Sequence, residues 1–69
     1  MKKLSRRQQE IYDFLKAYLE DNSYPPTQSE IADALGISQT AARNHLIALS
    51  KKEFIKLTES IPRSIVIKK

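Results

Sequence analysis

A mainly α body of three helices finished by a small β-hairpin is the fold class this 69-residue chain predicts. Three observations carry that expectation. Ser5-x-x-Gln8 and Thr27-x-x-Glu30 are capping boxes, each set ahead of apolar residues at helical spacing. Gly36 and Ser38 stop one helix and start the next within a tight turn. Past Glu53 the apolar spacing drops from about 3.6 to 2, the change from helix to strand.

The first helix starts at the Ser5 box, behind Leu4, and carries Ile11, Phe14, Leu15, Tyr18 and Leu19 as one apolar stripe. Asn22-Ser23 is expected to end it, because Asn tolerates the left-handed conformation of a helix cap. Tyr24-Pro25-Pro26 must then run extended, since each proline drives its predecessor out of the α region. That segment is a stiff strut setting the angle to the second helix, expected over Gln28–Leu35 with Ile31, Ala32 and Leu35 inward. The third helix runs from 39 to about 50, capped by Ser38, with Ala42, Leu46 and Leu49 on its core face. Ile55 and Leu57 then alternate with Lys56 and Thr58, and Ile65 and Ile67 with Ser64, Val66 and Lys68. Glu59-Ser60-Ile61-Pro62-Arg63 between them is the turn signal of a hairpin. Too small to stand alone, the hairpin packs Ile55, Leu57, Ile65 and Ile67 on the helices. Helix, helix, helix, hairpin is the order of a winged helix-turn-helix, formed as one domain over 1–69.

Composition narrows the chemistry. With 41% apolar residues the chain builds one thin core, near the size where solitary domains become marginal. The absence of cysteine excludes disulfides and thiolate chemistry and fits a reducing compartment. The start MKKLSRRQQE has no apolar run of a signal peptide, and nothing approaches membrane-spanning length, so a cytoplasmic location is the expectation. A single glycine rules out a Gly-rich phosphate loop, and the lone histidine, His45, reads as core-edge packing without the partners a metal requires. The carboxylates are scattered with no pair set for acid–base work. No enzyme activity and no cofactor are expected.

The net charge of +4 is unevenly spread. Five basic groups against six acidic ones leave −1 over 1–37, whereas seven against two leave +5 over 38–69. The positive charge therefore gathers on the third helix and beyond, as in a polyanion binder, although a lysine-rich solvated surface has the same composition. With Ala42, Leu46 and Leu49 inward, Gln39, Thr40, Arg43, Asn44 and Ile47 are directed outward. Gln and Asn each match two atoms on the edge of adenine, and Arg matches two on guanine. Ser38 stands at a helix N-terminus, where free amides favour phosphate. Lys51, Lys52 and Lys56 are candidates to grip backbone phosphate, and Arg63 at the hairpin tip to grip phosphate or enter the minor groove. A second basic cluster, Lys2, Lys3, Arg6 and Arg7, is explained equally by backbone contact or by solubility.

The run 4–36, LSRRQQEIYDFLKAYLEDNSYPPTQSEIADALG, resembles the N-terminal DNA-binding domain of LexA repressors. Arg7-Gln8-x-Glu10-Ile11, the YPPT-x-x-E-I-A-x-x-LG centre, the later His45-Leu46-x-x-Leu49 with its two lysines, and PRSIVI over 62–67 extend the likeness along essentially the whole chain. The resemblance implies a sequence-specific double-stranded DNA binder that represses transcription by excluding polymerase. Three departures bear on that. The turn into the third helix looks one residue shorter than in several LexA proteins, and its sequence SQTAARNHLIAL keeps the family's operator from being carried over. The family usually has a glycine where Glu53 stands; if that position needs a positive φ, Glu costs about 1 kcal/mol there. LexA proteins also continue into a self-cleaving peptidase domain that supplies dimerisation. These 69 residues are not expected to cleave themselves. Tight binding then calls for two copies on a palindromic site, a partner regulator, or a longer protein of which this is a piece. The rival class is a LexA-like module that binds another regulator and not DNA. RNA binding is a weaker third option, because no aromatic stacking surface stands out.

Overall fold

Each of the three helices begins at a residue whose side chain replaces a missing backbone acceptor. In the computed structural model, which describes residues 3–57 and 65–68, α1 is Arg6–Asn22, α2 is Gln28–Leu35 and α3 is Gln39–Lys51. Ser5 accepts from the Gln8 amide while the Gln8 side chain accepts from the Ser5 amide, closing the capping box of α1. Thr27 and Glu30 do the same for α2 at 3.2 and 2.8 Å. Ser38 caps α3 by accepting from the Ala41 amide at 3.0 Å.

The helix ends use left-handed residues, one of them unexpected. Gly36 (φ 66) ends α2, with the Ile37 amide returning to the Ala32 carbonyl. At the end of α1 the left-handed residue is Ser23 (φ 63), not Asn22; Asn22 stays helical and its amide group donates to the Tyr18 carbonyl. Glu53 (φ 65) closes α3, where its amide bonds to Ser50 and that of Phe54 to Leu49, the paired bonds of a Schellman motif. The position therefore requires the conformation that glycine adopts at no steric cost. Glu53→Gly is expected to stabilise the chain by about 1 kcal/mol, read as a higher denaturant midpoint with unchanged slope. An unchanged midpoint would mean that Glu53 recovers its strain through contacts.

Ile11, Tyr12 and Leu15 from α1, Ile31 and Ala32 from α2, and Ala42, Leu46 and Leu49 from α3 converge on one core, which Ile55 and Ile65 complete. The strut before α2 is part of it, since Pro26 is fully buried, while Tyr24 leans edge-on against Tyr18 at 5.9 Å. Tyr18 in turn donates its hydroxyl to Glu30 Oε2 at 3.1 Å. One carboxylate thus caps α2 through Oε1 and ties it to α1 through Oε2.

The chain enters the hairpin through Phe54, half-buried and edge-on to Tyr12 at 5.5 Å. Strands β1 (Ile55–Lys56) and β2 (Val66–Ile67) pair antiparallel, Ile55 with Ile67 and Lys56 with Val66. Ile55 and Ile67 thereby face the helices, and Lys56 and Val66 face outward. The Lys68 amide adds a further bond to the Phe54 carbonyl at 2.9 Å. The turn signal over 59–63, Arg63 included, lies outside the described residues.

Candidate nucleic-acid interface

The turn Gly36-Ile37-Ser38 sets α3 across the end of α2, and the core face of α3 decides which flank is left outside. Ala42, Leu46 and Leu49 are wholly buried, so Gln39, Thr40, Arg43 and Asn44 come to the surface on the other side. Residues at i, i+1, i+4 and i+5 share a helix flank, which makes these four one continuous polar row. Ile47 departs from the expectation. It follows Arg43 by one helical turn, on the same flank, yet is only half-exposed. His45 is likewise half-buried at the core edge, as its place beside Leu46 implied.

Ser38 heads the row and is exposed. Its hydroxyl serves the Ala41 amide, and its carbonyl receives the Ala42 amide. The amides of Gln39 and Thr40 are thus the first-turn donors suited to an incoming phosphate oxygen, at the positive end of the helix dipole.

Beyond the row, Lys51 is exposed at the last turn of α3 and Lys56 on the outer face of the hairpin. Lys52 is placed differently. It is half-buried, and its ammonium donates to the Lys3 carbonyl at 2.7 Å and to Gln8 Oε1 at 2.8 Å. That group is committed to the start of α1 and does not join the exposed cations. Nothing local in the sequence signals this, since the partners lie 44 and 49 residues away. Lys68, passed over as a candidate, is exposed on the same outward alternation as Val66 and adds its charge beside Lys56. The period-2 spacing of the second strand was the signal that could have found it.

Among the described residues there is no group of three His, Cys, Asp or Glu side chains able to hold a metal ion. No helix among them is long and apolar enough to cross a membrane.

Three helices around one core, the last exposed along a polar flank and followed by an antiparallel ribbon, define a winged helix-turn-helix domain. Comparison with known families narrows this further. The chain belongs to the LexA DNA-binding domain family, whose model, described as the LexA DNA binding domain, matches residues 1–64. It is 52% identical over 68 residues to the LexA repressor of Pseudomonas chlororaphis, covering 97% of this chain and 34% of that protein. Against the LexA repressor of Saccharophagus degradans it is 47% identical over 66 residues, covering 94% of this chain and 33% of that protein. The chain spans about a third of the length of the curated relatives it matches.

Proposed function

We propose that this chain is the DNA-reading domain of a transcriptional repressor, binding double-stranded DNA by sequence with α3 in the major groove. The observation that carries the proposal is the exposed row Gln39, Thr40, Arg43 and Asn44, backed by fully buried Ala42, Leu46 and Leu49. A rigid backing holds bidentate side chains at fixed spacing, as base readout requires. In this reading α2 crosses above the groove, and Ser38 with the Gln39 and Thr40 amides takes a backbone phosphate. Lys51 and Lys56 hold neighbouring phosphates, and Arg63, a candidate from the sequence alone, is the further cation of this grip. Residues 1–69 act as one domain, in the cytoplasm, without an enzymatic role of their own. Two copies on a palindromic site, or a copy with a partner regulator, supply the affinity that one module lacks. Repression then follows from occupying a site that polymerase needs.

Site selection from a random duplex library tests the reading, followed by a salt titration on the selected duplex. A defined consensus is expected, with log affinity falling by about 0.9 per phosphate neutralised for each unit of log salt. A symmetric consensus would indicate pairing of two copies. No selected sequence, or a flat salt dependence, would replace DNA with a protein partner.

A further inference from the structure

The bond from Lys52 to the start of α1 joins two parts of the chain that each carry positive charge. Lys3 and Arg6 are exposed on one side of it and Lys51 on the other. Arg7, between Arg6 and the Gln8 acceptor, is paired with Glu10 at 3.1 Å, so the segment's available charge rests chiefly on Lys3 and Arg6. Gln8 Oε1 holds the Ser5 amide at 3.0 Å and the Lys52 ammonium at 2.8 Å. The acceptor that starts α1 is therefore also the one that anchors it to the end of α3. Phe54 against Tyr12 fixes the same junction from its apolar side.

Resting on the DNA-binding reading above, we infer that Lys52 is a positioning residue. Its ammonium clamps residues 3–8 to the end of α3, so that Lys3 and Arg6 are presented in the neighbourhood of Lys51 as a second grip on backbone phosphate. Both acceptors of the clamp are neutral, a carbonyl and a side-chain amide. The cation keeps its charge and adds to the local positive potential without itself touching phosphate.

Ammonium-detected NMR of the unaltered protein tests this directly. On addition of a mixed-sequence duplex at low salt, the Lys52 ammonium signal is expected to stay in place while that of Lys51 moves. A Lys52 signal that moves as far as that of Lys51, or shows coupling to phosphorus, overturns the inference even though DNA binds. Gln8→Ala supplies the second arm, because it opens the clamp without removing a charge. In free protein it should shift the Lys52 signal; no shift means there is no clamp. With the duplex it should lower the salt slope by about one to two, the loss of one or both displaced cations. Were Lys52 a phosphate ligand held back by Gln8, the same substitution would leave the slope unchanged or steepen it, and either result sinks the inference. If the unaltered chain binds no duplex, the functional reading itself fails, while the free-protein shift still decides whether the clamp exists.

Discussion

Leu46→Ala is expected to destabilise the chain by about 3 kcal/mol, from lost burial and from the cavity left behind. Leu46 is wholly buried at the middle of α3, in the cluster formed by Ile11, Leu15, Ile31, Leu49 and Ile55. All three helices and the first strand contribute to that cluster, so no single element can collapse to refill the space. A domain of this size holds roughly 0.05–0.15 kcal/mol per residue, which makes such a loss a large part of its whole stability. Chemical denaturation should show the midpoint falling steeply. At a temperature where the variant is still folded, its preferred duplex should be unchanged, since Leu46 supports the polar row without belonging to it. A cost below about 1 kcal/mol would mean that α3 does not turn this face inward.

The second expectation has the opposite signature. Arg43→Ala and Asn44→Ala should each weaken the selected duplex by about 1–3 kcal/mol and relax the base preference at one position of the site. Asn44 is exposed, so its replacement should alter unfolding by no more than about 0.5 kcal/mol. Affinity is thus lost without stability, where Leu46→Ala loses stability without base preference. Repeating site selection with each variant reads the effect. An unchanged consensus for both would show that base readout does not rest on Arg43 and Asn44.

Local chemistry explains why so much of this fold was legible in the chain. Each helix start is written in neighbouring residues: Ser5 with Gln8, Thr27 with Glu30, and Ser38 before an apolar face. The bounds Gln28–Leu35 came out as expected because a cap and a glycine enclose them. The inward set Ala42, Leu46 and Leu49 followed from period alone. So did the presence of a hairpin, whose register, Ile55 opposite Ile67, only the structure supplies. The suspicion that position 53 demands a positive φ is met by Glu53 at 65°.

What could not be read depends on distant partners. Whether Lys52 faces solvent or turns back to Gln8 is decided by how α1 packs against α3, and no local pattern encodes that. The same holds for Tyr18, whose hydroxyl finds Glu30 only once the proline strut has folded the chain back. Choosing Asn22 over Ser23 as the left-handed residue was a question of one position. The bond from the Asn22 side chain to Tyr18 favours keeping Asn22 inside the helix.

Glu30 joins two quantities usually set by separate residues: where α2 begins and how it leans on α1. One oxygen marks the first turn, and the other takes the hydroxyl of a neighbouring helix. A change at this side chain therefore shifts starting point and tilt together, and α3, hung from the far end of α2, inherits both errors. The orientation of the exposed row Gln39, Thr40, Arg43 and Asn44 is in this sense tied to a residue outside it.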